Sequence, residues 1–126
     1  MRRPILCLDF DGVIHSYSSG WKGADVVSDA PVPGAIPFIV EALDHFDVCV
    51  FSSRSHQPGG IDAMRVALGC WALRYDDLRR DWLDQVRFPT EKPAAMVTID
   101  DRAITFDGTW PSIARLKEFR PWNKPA

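Results

Sequence analysis

The stretch Ile5-Leu6-Cys7-Leu8-Asp9-Phe10-Asp11-Gly12-Val13 decides how the rest of this sequence is interpreted. Its first four residues are apolar, a pattern typical of a strand that is buried on both faces of a parallel sheet. Because side chains alternate along a strand, Asp9 and Asp11 leave its end on the same side. Two carboxylates so close repel each other unless a cation or a shared proton neutralises them, and oxygen ligands suit Mg²⁺. The stretch therefore predicts an acidic site at the end of the first strand, the alternative being a strand that happens to end in acidic loop residues.

Composition is that of an ordinary globular domain. The 126 residues fit one domain, 1–126, and the formal net charge of -2 gives no general attraction to nucleic acid or to an anionic membrane. We find no stretch apolar enough to cross a membrane and no signal-peptide cleavage site. The cysteines are three, an odd number, and Cys7 and Cys49 lie in apolar runs. Buried free thiols fit a reducing compartment, so we expect a cytoplasmic protein without membrane contact.

Apolar runs typical of strands alternate along the chain with segments of helical periodicity. Strands are predicted at 5–8, 48–51, 86–88 and 95–99, and helices at 34–46, at 61–69, within 70–85 and near the end of the chain, where Thr109 would be the cap. Such alternation predicts an α/β fold, a mostly parallel central sheet with helices on both faces.

The segment 13–33 is rich in glycine and proline and is predicted to be a small flap beside the acids. His15, Tyr17, Trp21 and Lys22 are the residues of this flap that could touch a substrate. Tyr17 and Trp21 could equally serve only to pin the loop down. His15 has no partner that the sequence reveals, so no catalytic role is assigned to it.

Three of the predicted strands end in polar clusters. Beyond Asp9 and Asp11, the second strand runs into Ser52-Ser53-Arg54 and the last into Asp100-Asp101-Arg102. Right-handed crossovers bring the carboxyl ends of parallel strands to one edge, where ligands bind in open sheets. We therefore expect these clusters to meet in one cleft with Lys92 within reach. The alternative, unrelated charged loops, would require that three strands end in polar clusters by coincidence.

Such a cleft is suited to phosphoryl transfer. Its carboxylates would hold Mg²⁺ and leave coordination sites for water and a phosphate. A carboxylate can attack phosphorus and form an aspartyl-phosphate, while a second acid protonates the leaving oxygen and later activates water. Mg²⁺, Lys92 and the donors around Ser52 would offset the repulsion between the attacking carboxylate and the phosphate.

Asp9-Phe-Asp11-Gly-Val, then Ser52, Lys92 and Asp100-Asp101, resembles the four ordered motifs of the haloacid dehalogenase (HAD) superfamily of phosphotransferases. The resemblance implies a Rossmann-like three-layer sandwich and a single HAD-like phosphatase domain. It further implies that Asp9 is the nucleophile and Asp11 the general acid/base, a residue that the dehalogenase branch lacks. Ser52 would bind the phosphate and Lys92 would steady the phosphoryl group, although no helix fits between Lys92 and the last strand.

The same resemblance implies Mg²⁺ as the cofactor. Its ligands would be Asp9, Asp11 (through the backbone carbonyl) and Asp100, with Asp101 in support. The intervals between motifs leave no room for a large cap domain. Members without a cap often act on bulky substrates or form homo-oligomers in which a neighbour acts as the lid.

Ser52-Ser53-Arg54 and Asp100-Asp101-Arg102 are also similar to the corresponding stretches in the phosphatase domain of phage-type polynucleotide kinase/3′-phosphatases. Arg54 and Arg102 could hold a second phosphate or a nucleic-acid backbone, or could pair with a neighbouring acid or lie exposed. The expected function is a Mg²⁺-dependent phosphomonoesterase whose substrate is a phosphorylated small molecule, foremost a nucleotide, or a nucleic-acid end. The alternatives are a non-catalytic HAD-like binding or regulatory module, and a phosphotransferase with an acceptor other than water.

Overall fold

The computed structural model describes residues 3–79 and 81–124. Strands and helices alternate along the chain, as the sequence predicts. In order they are β1 (Ile5–Leu8), α1 (Ala35–Ala42), β2 (Asp47–Val50), α2 (Gly60–Ala72), a 3₁₀ turn (Leu83–Gln85), β3 (Val97–Ile99) and α3 (Ile113–Lys117).

The sheet is open and parallel, with strand order β2-β1-β3. Leu6 of β1 pairs with Val48 on one side and with Val97 on the other. The central position of β1 means that the residues following it lie between the ends of both neighbours. An α/β fold with a parallel sheet is therefore confirmed.

The strand predicted at 86–88 is reduced to one residue. Arg87 donates its N–H to the carbonyl of Val48 at 3.0 Å and accepts the N–H of Val50 at 2.8 Å. This isolated bridge extends the free edge of β2 without forming a strand, since the chain enters Pro89 two residues later.

The core lies between the sheet and the first two helices. Ile36 and Ile39 of α1 and Met64 and Leu68 of α2 are buried at helical spacing, together with the apolar side chains of β1 and β2. Each such side chain contributes about 1.5–3 kcal/mol when it is fully buried. Cys7 and Cys49 are buried free thiols, as predicted, whereas Cys70 is exposed.

Three predicted helix ends were wrong. Helix α1 ends at Ala42 and not at Phe46, and turns connect it to β2 at Asp47. Helix α2 does not end at Gly69 but continues to Ala72, because burial of Trp71 against the core stabilises one more turn. Helix α3 is capped by Ser112, whose Oγ accepts the N–H of Arg115 at 3.1 Å. Thr109 instead donates its N–H to Asp107 in a preceding turn.

Strand β3 is less covered than its apolar sequence predicts. Val97 is 45% exposed and Ile99 is 39% exposed, and α3 has no buried residue. An irregular segment without a helix precedes β3, so less apolar surface is available to cover this edge of the sheet. No helix within 3–79 and 81–124 is long and apolar enough to cross a membrane.

The segment 13–33 is an irregular loop whose two ends are closed on each other. Ser16 donates its N–H to the carbonyl of Ala30 and Val32 donates to Ile14, at 2.9 and 2.8 Å. His15 also bridges to Pro31. The loop thus returns to the point where it left β1, next to the acids.

Candidate functional site

Three carboxylates cluster at the carboxyl edge of the sheet. Asp9 donates its backbone N–H to the carbonyl of Ile99, the last residue of β3, at 3.0 Å, which extends the β1–β3 ladder past the end of β1. Asp9 is thereby held next to Asp100 and Asp101. One oxygen of each of the three side chains lies within 4.8 Å of the others.

Asp101 reaches this cluster because residue 12 is glycine. Gly12 has φ of 82°, and a Cβ on it would lie 2.1 Å from Asp101 Oδ2. Any other residue would therefore displace the Asp101 side chain and strain the turn as well. Asp101 Oδ1 is buried and has no hydrogen-bond partner among residues 3–79 and 81–124.

Without a bound cation, the ionised form of Asp9 is disfavoured. Burial, followed by the Asp100 and Asp101 carboxylates, raises its pKa from 3.8 to about 8, although Phe10 donates its N–H to Asp9 Oδ1 at 2.8 Å. A partnerless buried oxygen, three carboxylate oxygens close together and a raised pKa fit a hard divalent cation such as Mg²⁺.

The side chain of Asp11 has a different environment from that of Asp9. Its Oδ1 lies 2.8 Å from His15 Nδ1, and its Oδ2 accepts a hydrogen bond from Arg54 Nε at 2.8 Å. Burial alone would raise the pKa of Asp11, but the hydrogen bonds from His15 and Arg54 outweigh it and hold the pKa below 3.8. Asp11 is therefore held as a carboxylate, and its side chain is not part of the acidic cluster.

Arg54 links Asp11 to the loop. Its side chain is fully buried, and Nη1 donates to the carbonyls of Gly23, Ala24 and Val26 at 3.1, 3.0 and 2.8 Å. The guanidinium carbon lies 4.9 Å from the centre of the Trp21 ring. Of the roles that the sequence allows for Arg54, the structure shows the pairing with a neighbouring acid.

Ser52 follows β2 in a tight turn. Its backbone N–H donates to Ser55 Oγ at 3.0 Å, and its own Oγ accepts the N–H of Arg54 at 3.1 Å. Since the hydroxyl already serves as an acceptor, its proton is available to a group in the adjoining cavity.

Most of the predicted site residues meet at a cavity of about 220 Å³, although Arg54, Asp100 and Lys92 do not line it. It is lined by Asp9, Asp11, Tyr17, Trp21, Ser52, Ser53, Asp101 and Arg102. Arg102 is largely exposed, with Nε 3.9 Å from Asp101 Oδ2. Lys92 is exposed in the segment before β3 and does not line this cavity.

The sequence predicts that Trp122, in a tail with two prolines, docks on the body of the domain, but it does not reveal the partners in two groups of contacts. The His15 ring lies against the Asp11 carboxylate. In the sequence, only the spacing of four residues around Gly12 could have indicated this pair. Near the end of the described chain, Trp122 Nε1 donates to the carbonyl of Gly12 at 2.7 Å, and Asn123 Nδ2 donates to the carbonyl of Ser16 at 2.9 Å. No local pattern links residues so distant in sequence.

The fold and the site together define a small α/β protein with a carboxylate cluster at the carboxyl edge of its sheet. Comparison with protein-family models, with curated proteins and with solved structures yields no match in any of the three.

Proposed function

We propose that this protein is a Mg²⁺-dependent phosphomonoester hydrolase of the HAD type that acts through an aspartyl-phosphate on Asp9. One observation carries the proposal: Asp9, Ser52 and Asp101, which follow three different strands, line the same cavity. The order of the motifs along the chain supports it further.

The chain supplies a group for each step of this reaction. Asp11, a carboxylate in the substrate-free protein, takes up a proton from solvent when the phosphate monoester binds. Asp9 Oδ then attacks phosphorus while the bond from phosphorus to the ester oxygen breaks, and that oxygen takes the proton from Asp11. In the second half, Asp11 accepts a proton from water, the water oxygen attacks the phosphoryl group, and Asp9 is released as a carboxylate. The Ser52 hydroxyl is placed to donate to a phosphate oxygen.

Mg²⁺ would be held by Asp9, Asp100 and Asp101, and bound there it would offset the charge of the phosphate. Asp9 must be ionised to attack, and its pKa of about 8 without a cation means that it is mostly protonated at neutral pH. A cation held there would favour the ionised form of Asp9 that attacks phosphorus.

A nucleotide or a nucleic-acid end is the substrate that the cavity lining favours. Tyr17 and Trp21 offer aromatic faces on which a base can stack. Arg102, largely exposed at the rim, can pair with a second phosphate.

The test is phosphate release from a panel of monoesters, with Mg²⁺ and with EDTA. The panel comprises nucleotides, sugar phosphates and 3′- and 5′-phosphorylated oligonucleotides. We expect Mg²⁺-dependent release that is lost in Asp9→Asn and kept in Asp107→Asn, a matched change at an exposed acid. Release that persists in Asp9→Asn would refute the assignment of the nucleophile.

The panel also separates the two alternatives. Transfer of phosphate to an added alcohol, in place of release to water, would identify a phosphotransferase. A protein that binds Mg²⁺ and releases no phosphate from any member would be a binding or regulatory module.

A further inference from the structure

His15 is the most constrained polar side chain next to the site. It is fully buried, and its backbone N–H and carbonyl are bound to Phe10 and Gly12, which folds the ring onto Asp11. The rings of Phe10, Tyr17 and Trp71 have centroids within 5.5 to 6.2 Å of the imidazole. The orientation of the imidazole is therefore fixed by packing on several sides.

The partners of the two ring nitrogens determine where the proton lies in the neutral ring. Asp29 donates its backbone N–H to His15 Nε2 at 3.0 Å, and a backbone N–H can only donate. Asp29 Oδ2, at 3.7 Å, is too far for a hydrogen bond. Nε2 is therefore the acceptor, and the single proton lies on Nδ1, which donates to Asp11 Oδ1 at 2.8 Å.

Both oxygens of Asp11 are consequently occupied by donors. The Arg54 guanidinium is charged and anchored by three carbonyls of the loop. The His15 imidazole is a neutral donor, but its bond is also charge-assisted because the acceptor is a carboxylate. The two bonds together hold the Asp11 side chain from both sides.

We propose that His15 is a positioning residue: its Nδ1–H, opposite Arg54, fixes the orientation in which the Asp11 carboxylate faces the cavity and exchanges a proton with the leaving group and with water. His15 itself touches no substrate and transfers no proton. Through Asp29, the same ring couples the orientation of Asp11 to the far end of the loop. This role rests on the proposed phosphatase function.

Two substitutions separate positioning from a merely structural role. In His15→Asn, the amide nitrogen occupies the place of Nδ1 and keeps a donor for Asp11. In His15→Gln, the amide lies one bond further out, where it can accept from Asp29 but leaves Oδ1 without its donor. We expect kcat to fall about 100-fold in His15→Gln, the lower end of what general acid–base catalysis contributes, with KM nearly unchanged. His15→Asn should restore kcat to within about 10-fold of the unaltered protein.

The control is His45→Gln, the same change at an exposed histidine, which should leave kcat unaltered. Thermal unfolding of each variant is measured in parallel. Equal losses of kcat in His15→Asn and His15→Gln, following their losses of stability, would overturn the proposal, as would a loss expressed only in KM.

A spectroscopic readout is independent of activity. The ¹⁵N and ¹H resonances of the His15 ring in the full chain should show the proton on Nδ1. If the proton is on Nε2 and phosphate is still released, the proposal is wrong and the proposed function stands. If the proton is on Nδ1 but no member of the panel is hydrolysed, the proposed function is refuted, and the positioning role of His15 with it.

Discussion

Replacing Asp9 by Asn should stabilise the metal-free protein while it abolishes turnover. The amide is nearly isosteric, and its oxygen can still accept the N–H of Phe10, as Asp9 Oδ1 does at 2.8 Å. Its nitrogen presents donors to Asp100 and Asp101 in place of a third negative charge. The substitution therefore relieves a repulsion that the unaltered protein retains for binding a cation.

The size of the gain follows from the pKa of Asp9, which is 3.8 ordinarily and about 8 in the folded protein without metal. A folded state that holds a proton more tightly than the unfolded state loses stability as pH rises from about 4 to about 8, and loses no more above that range. At pH 7, about three pH units above the ordinary pKa, the loss of stability is at most about 4 kcal/mol. Since the carboxyl group is partly solvated, we expect about 2 kcal/mol.

Urea unfolding in EDTA from pH 5 to pH 9 measures this gain. The difference in unfolding free energy between Asp9→Asn and the unaltered protein should grow with pH and level off near pH 8. Asp107→Asn, at an exposed acid whose oxygen accepts a comparable backbone N–H, should show no such trend. A difference that is flat across the range would refute the argument that burial and neighbouring acids raise the pKa of Asp9.

Three further outcomes can be measured. Mg²⁺ should bind more tightly at pH 8 than at pH 6 by titration calorimetry, because Asp9, with a pKa of about 8, must lose its proton on binding; equal affinities would remove Asp9 from the ligand set. Gly12→Ala should destabilise the fold by about 1–3 kcal/mol through its positive φ, and should weaken Mg²⁺ binding because the new Cβ displaces Asp101; unchanged Mg²⁺ affinity would show that Asp101 is not needed. Trp122→Phe, which keeps a smaller aromatic ring but loses the N–H donated to Gly12, should lower the free energy of unfolding in urea by about 1 kcal/mol. A neutral result would mean that this contact is replaced by water.

The sequence predicts the site best where chemistry follows directly from strand position. An apolar run ending in acids specifies a buried strand, and parallel topology then requires that Asp9, Ser52 and Asp101 share one edge. These residues do line one cavity. The convergence of these side chains depends on strand direction and on the alternation of side chains along a strand. Both can be predicted from short stretches of sequence.

The contacts of the loop 13–33 cannot be predicted from short stretches of sequence in this way. Arg54 is held by three backbone carbonyls, and a carbonyl is present at every residue, so no side-chain pattern identifies its partners. His15 could have been linked to Asp11 through their spacing, but the geometry depends on the turn at Gly12. The exposure of β3 depends on what packs against it, which its own apolar sequence does not specify.

The reactivity of the buried cysteines reports on separation of strands β1 and β2. Cys7 and Cys49 are register partners on β1 and β2, and burial raises the pKa of both thiols. A thiol reagent therefore modifies them only when these two strands open, whereas it modifies Cys70 in the folded protein. Their labelling rate measures how often the strand that carries Asp9 separates from its neighbour. A substitution that disturbs only chemistry leaves this rate unchanged, and one that loosens the sheet increases it.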